Sequence, residues 1–361
     1  MSEYSYLVNY LSYLWNNALL VLLSTEAITQ IYKGYRISKD YKVKDINKIV
    51  SPKLELESKR INLRKEISFE EKKEINKFIK VLLKNFDLSV LTNFYNNINR
   101  LKVEISNSYY RSTYNANDNT IRYNYLPVIY HELFHMSSTY FDNHEETINC
   151  YSGFTFMEVK NFKIYKVGIG LTEGYTELMT ERYFEEFFKK VLNPYFIEKS
   201  VASQVEKIVG KSLMERLYLT ANLKGLIDEL NKYKSEEEIA QFLTNFDFIV
   251  KYFRTKCWLD NIKIEKIRIS LINMYNFLIS AYINKLKEEL NNKTITTDDF
   301  LKLSFEYIKS FSNYFVFNGI DYQILAREDL NKVFDDLNDY ITSYYLKNET
   351  NPVVLQKRAF N

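Results

Sequence analysis

The sequence predicts an α+β fold that is predominantly helical: a small sheet or hairpin with one apolar helix, followed by a larger all-helical part. Three observations carry this. Glycine and proline number 8 and 4 in 361 residues, far below the usual shares of about 7% and 5%. Sandwiches, barrels and doubly wound sheets need a turn roughly every ten residues and glycines in their loops, so those classes are disfavoured. The alternation of apolar and polar residues that marks strands is concentrated between Leu101 and Tyr125, and from Ser212 onward helix follows helix with scarcely any strand signal. With 46% hydrophobic and 16% aromatic residues, the chain is globular, neither disordered nor collagen-like.

Charge excludes one class of partner. Lysine and arginine total 49 against 46 acidic residues, a net charge of +3, and no domain carries the strong basic excess that nucleic-acid binding requires. In the richest basic stretch, Lys53 to Lys84, the lysines are interleaved with Glu55, Glu57, Glu66, Glu70, Glu71 and Glu74, as on a solvated face. Cys150 and Cys257 lie far apart without CxxC spacing, which fits buried small hydrophobes in a reducing compartment. A cytoplasmic location is the expectation.

The elements follow in chain order. Tyr6 to Thr25 is apolar, but no Lys or Arg precedes it, Glu3 does, and Asn9, Ser12, Asn16 and Asn17 interrupt it. Ala18 to Leu23 is too short to span a bilayer, so the segment reads as a buried amphipathic helix and membrane association is not favoured. A short strand is expected within Leu54 to Leu63. Ser68 with Glu71 three residues on makes a capping box, and Ile75, Phe78, Ile79 and Leu82 follow at helical spacing, predicting a helix over Phe69 to Phe86. Leu101, Val103 and Ile105 alternate with polar residues, and Asn115 to Asn119 is a turn-rich pentamer before Thr120 to Tyr123, so a hairpin is predicted here. From Pro127 onward helical pattern dominates. Pro127 suits a first-turn position and Leu126 before it is pushed out of helical geometry. Ser235 and Thr297, each followed by acidic residues, are expected to start helices. The resulting organisation is an N-terminal helical and mixed region (1–100), a catalytic core (101–185) and a C-terminal helical subdomain (186–361).

Two of the three histidines fall in His131-Glu132-Leu133-Phe134-His135. On a helix, side chains at i and i+4 stand on one face, so both imidazoles can reach one metal ion while Glu132, rotated by about 100°, lies beside the water that the metal would hold. Val128, Ile129, Leu133, Phe134 and Met136 make this helix apolar enough to be buried. A four-coordinate catalytic zinc needs a third protein ligand. His144, nine residues past His135, reads as a loop histidine at no recognised ligand spacing. The better source is Gly170-Leu171-Thr172-Glu173-Gly174-Tyr175-Thr176-Glu177-Leu178-Met179-Thr180-Glu181, where Glu173, Glu177 and Glu181 recur on one helical face flanked by Val167, Ile169, Leu171, Leu178 and Met179. Carboxylates pointing into such surroundings need a cation or a donor. Four of the eight glycines, Gly153, Gly168, Gly170 and Gly174, lie within the 22 residues from 153 to 174 that connect the HExxH helix to the third-ligand helix, so close backbone approach is expected mainly beside the metal site.

These residues carry a resemblance. HExxH followed by a helix with a Glu ligand resembles the gluzincin clan of zinc peptidases, and Leu171-Thr172-Glu173-Gly174 is similar to the Leu-Asn-Glu-Gly run that supplies the third ligand in aminopeptidase N-like enzymes. Thr172 stands where Asn is usual, and that Asn is not a ligand. A metzincin would place His where Phe141 stands. The Glu173 to Glu177 spacing is similar to the Glu-x-x-x-Asp of thermolysin and neprilysin, with Glu in place of the Asp. The resemblance covers about residues 101–185 and implies a zincin-like fold, Zn2+ as cofactor, His131, His135 and Glu173 as ligands, Glu132 as general base, and Glu177 as the carboxylate that orients the first histidine. It also implies that the hairpin ending near Tyr125 supplies the edge that pairs with extended substrate. The expected function is zinc-dependent hydrolysis of peptide bonds in a peptide or protein substrate. The alternative is a non-catalytic zincin-derived interaction module, since the long aromatic C-terminal region exceeds what catalysis requires. An oxyanion donor is expected from a tyrosine, with Tyr175, Tyr183 and Tyr195 nearest in sequence.

Overall fold

The computed structural model describes residues 61–106, 112–144, 147–160, 163–188, 195–255 and 261–311, with short pieces at 316–317, 320–321, 335, 339–340 and 342–344. The helix expected at Tyr6 to Thr25, most of the strand region expected at Leu54 to Leu63, and Cys257 lie outside these residues. The described chain is mostly helical with small sheets, and none of its helices is long and apolar enough to cross a membrane. It divides into two units, one of residues 1–232 with 246–256 and the other of 233–245 with 257–361.

In the first unit α1 spans Phe69–Asn85 and opens on the expected capping box. The Ser68 hydroxyl accepts the Glu71 N–H at 3.3 Å, and the Glu71 carboxylate accepts the Ser68 N–H at 2.7 Å. Its inner face is Ile75, Phe78, Ile79 and Leu82, all buried, the 3.6-residue period made physical. A 3₁₀ turn (Leu88–Val90) and α2 (Thr92–Ile98) lead to a three-stranded sheet of β1 (Lys102–Ile105), β2 (Thr113–Asn115) and β3 (Thr120–Tyr123) in the order β1-β3-β2. β2 and β3 form the expected hairpin, closed with Asn119 at φ 53°, whereas β1 pairs with β3 in parallel and is no hairpin arm. Pro127 sits in a 3₁₀ turn (Leu126–Val128), and Tyr125 is the extended residue before it, one position earlier than expected. α3 (Ile129–Ser137) follows.

The helical expectation beyond Pro127 fails over the next thirty residues. A four-stranded antiparallel meander runs through β4 (Thr139–His144), β5 (Thr147–Ser152), β6 (Thr155–Lys160) and β7 (Lys163–Val167). Aromatic and β-branched residues pair across these strands: Tyr140 stacks on Tyr151 with centroids 4.7 Å apart, and Tyr151 meets Phe156 at 5.2 Å. Phe141, Cys150 and Val159 are buried on the opposite face. Cross-strand pairing of this kind outweighs weak local helix preference. His144 therefore ends a strand, opposite Thr147, rather than lying in a loop.

Helices then dominate as expected: α4 (Ile169–Phe188, kinked at Phe184), α5 (Phe196–Val209), α6 (Lys211–Leu219), α7 (Leu223–Leu230) and α8 (Glu236–Thr255). Ser235 starts α8 with a reciprocal pair of bonds to Glu238. The first unit's aromatic core surrounds α3, with Phe134 edge-on to Phe78 (4.9 Å) and Tyr130 stacked on Phe184 (4.0 Å). In the second unit α9 (Asn261–Asn291) and α10 (Thr297–Phe311) bury Leu278, Leu286 and Phe300, and Tyr282 stacks on Tyr307 at 3.9 Å. Thr296, not Thr297, caps α10, because its hydroxyl accepts the Asp299 N–H. A pair of two-residue strands, β8 (Val316–Phe317) and β9 (Ile320–Asp321), follows where only helix was expected.

Candidate metal centre

α3 presents His131 and His135 one turn apart, and their Nε2 atoms lie 3.1 Å from each other. α4 brings Glu173 to the same point, with Oε2 at 3.4 Å from His131 Nε2 and 3.5 Å from His135 Nε2. Three donor atoms around one tetrahedral ion at about 2.0–2.1 Å would be separated by roughly 1.6 times that radius, about 3.3–3.4 Å. The three measured edges bracket this value. Among the described residues, these three form the one group of His, Cys, Asp and Glu side chains whose donor atoms converge to within 4.8 Å.

The next layer fixes which atoms face inward. Glu177, 4% exposed and one turn beyond Glu173, holds its Oε2 2.9 Å from His131 Nδ1. A carboxylate accepts, so the bond to Glu177 takes a proton on His131 Nδ1, and Nε2 is the ring atom that faces Glu173 and His135. Burial alone would lower the affinity of His131 for a second proton. Its bonds to Glu173 and Glu177, with the charge of Glu132, overcome that and push its pKa up to about 10. Glu132, Glu173 and Glu177 thus favour a positive charge at this point, which a proton or a metal cation supplies. Glu132, also 4% exposed, has its pKa raised by burial, against the pull of His131 and His135, and accepts the backbone N–H of Tyr114. Tyr114 lies on β2, the edge strand of its sheet.

Several contacts hold the two helices in place. At the end of α3, Asn97 donates to the carbonyls of Met136 (2.9 Å) and Thr139 (2.7 Å), and the Thr139 hydroxyl donates to the His135 carbonyl at 2.7 Å. The turn between β5 and β6 stitches both helices together, since Gly153 N–H donates to the Ser138 carbonyl and Phe154 N–H donates to the Thr172 hydroxyl at 2.9 Å. Thr172 therefore ties α4 to the sheet. Gly174 admits the α5 backbone: a Cβ there would lie 1.9 Å from the Glu198 carbonyl oxygen. Tyr218, fully buried, bonds Thr176 and Ser138 behind the site, and its pKa is raised by burial and by the charges of Glu173 and Glu132.

The structure thus brings together His131, Glu132, His135, Glu173 and Glu177. Glu181 is elsewhere, paired with Lys199 at 2.8 Å, and His144 stands at the end of β4, opposite Thr147 in the strand register. Of the three tyrosines, Tyr175 donates to Glu206 and Tyr183 to Glu215, while Tyr195 stacks its ring on His131 with centroids 4.9 Å apart. Asn97, Tyr114 and Tyr218 were not legible in the sequence, because each acts across a long separation through a backbone group or a lone hydroxyl. No family model, curated protein or solved structure matches this chain.

Proposed function

We propose that the chain is a zinc-dependent peptidase that hydrolyses peptide bonds in a peptide or protein substrate, with His131, His135 and Glu173 as ligands and Glu132 as general base. The observation that carries the reading is the convergence of two Nε2 atoms and one carboxylate oxygen at tetrahedral-edge distances, with a second carboxylate on the intervening turn. Two nitrogens and one oxygen make the donor set of a catalytic zinc, which leaves the fourth position to water.

Zinc held there would bring the pKa of a bound water toward about 7 and polarise the scissile carbonyl. Glu132 takes the water proton during attack and delivers it to the leaving amine. Tyr114 N–H fixes the Glu132 carboxylate, and Glu177 fixes the tautomer of His131. Edge strand β2, adjacent to Glu132, is where an extended substrate would add as a further strand. Of the three candidate tyrosines, Tyr195 is the one whose ring lies against a proposed ligand, His131.

The test measures bound metal and cleavage together. Glu173→Gln is expected to abolish zinc binding and Glu177→Gln only to weaken it; the reverse pattern sinks the assignment. Zinc-loaded protein is expected to cleave members of a peptide library and the Glu132→Gln variant to cleave none, and inactivity of both favours an interaction module.

A further inference from the structure

The helix that carries Glu173 has no cap of its own. Gly168, its first carbonyl acceptor through the Thr172 N–H, sits at φ 83°, and a Cβ there would lie 2.1 Å from the Phe154 carbonyl oxygen. The close approach to the β5–β6 turn thus demands glycine, and glycine brings no side chain to satisfy the amides that every helix leaves unpaired in its first turn. A residue almost eighty positions away supplies the acceptor. Asp247, on α8 and within the first unit, takes the Gly168 N–H on Oδ2 at 2.7 Å and the Gly170 N–H on Oδ1 at 2.8 Å, with the Ile169 N–H also bonded to it. Phe246 and Val250 on either side pack so tightly against Gly170 that a Cβ there would meet them at 3.2 and 2.9 Å.

We infer that Asp247 is a positioning residue of the metal centre: its carboxylate caps α4 and so holds Glu173, one turn further on, in register with His131 and His135. The inference rests on the zinc reading above. A carboxylate against several amides at the positive end of a helix makes charge-assisted bonds and opposes the macrodipole. Without it the first turn of α4 frays, and Glu173 N–H bonds back into that turn. The ligand is then present but less well ordered.

The test uses the full chain and reads zinc affinity by competition with a chelating dye, alongside thermal unfolding of the metal-free protein. Asp247→Ala is expected to weaken zinc about tenfold or more, as loss of a ligand-orienting partner does. Asp247→Asn, whose amide keeps one acceptor oxygen and turns its NH2 toward an N–H, is expected to weaken it less. Leu226→Ala, which cavitates the buried core on α7, is expected to lower thermal stability with no change in zinc affinity. If both Asp247 variants fold and bind zinc as tightly as the native chain, the inference is overturned and Asp247 is merely structural. If Asp247→Ala does not fold, the Asn variant decides alone. Native protein whose zinc affinity is indifferent to His135→Ala overturns the zinc reading itself, a result distinct from either Asp247 outcome.

Discussion

Among the described residues between Ile129 and Phe188 eleven polar side chains are buried, His131, Glu132 and Glu177 among them; in the described part of the second unit only Ser270 and Ser304 are. The second unit buries aromatic and aliphatic surface instead, through Tyr282 on Tyr307, Phe242 on Phe277 and the fully buried Phe300. An unpartnered buried polar group costs about 1–3 kcal/mol, so the first region is held by hydrogen bonds and close backbone approach, the second by packing. What the contrast teaches is where substitutions act on chemistry and where they act on stability.

Four substitutions sharpen that contrast, in falling order of effect. Glu132→Gln should reduce peptide hydrolysis by about 10²–10⁴, the usual weight of a general base, while metal analysis shows zinc retained and melting shows no loss of fold. Full residual activity would remove Glu132 from the mechanism. Phe300→Ala should cost about 3–5 kcal/mol in denaturant unfolding through the cavity it leaves, with zinc affinity unchanged; a parallel fall in zinc affinity would break the separation drawn here. Gly174→Ala should cost about 3 kcal/mol, because its methyl group meets the Glu198 carbonyl at 1.9 Å, and should weaken zinc as well. The same cost with native zinc affinity would show that α4 shifts without moving Glu173. Glu177→Gln should weaken zinc by about 10–100-fold, the scale of a lost partner to a ligating histidine, with little change in melting temperature. Native affinity in this variant would leave His131 oriented by something other than Glu177.

Much of the site was legible because its spacing is local. HExxH states its own geometry once a helix is granted, and Glu173 with Glu177 on apolar-flanked ground states that two carboxylates turn inward. α1 was legible for the same reason, since Ser68 and Glu71 bond each other across three residues. The meander β4–β7 was not. Its strands mix Lys, Glu, Asp and Asn with Tyr and Thr, so helical and strand periods are both weak, and what decides the outcome is pairing between residues up to thirteen apart, such as Thr139 with Ser152 and Phe156 with Val167. β1 joined β3 in parallel for an equally non-local reason. Asp247 carried no signal, because nothing near it in sequence says that a distant glycine needs an acceptor.

The two ends of the meander stand at different distances from the His131, His135 and Glu173 cluster. Ser138, Gly153, Phe154, Gly168 and Thr172 bind its near end to both ligand-bearing helices. The register places His144 opposite Thr147 and Lys160 opposite Lys163 at the other end, five residue steps from Thr139, or about 17 Å at strand rise. An insertion at either far junction is therefore expected to leave the His131, His135 and Glu173 geometry in place. It is there that a fluorescent peptide tag can be spliced and the protein followed in cells.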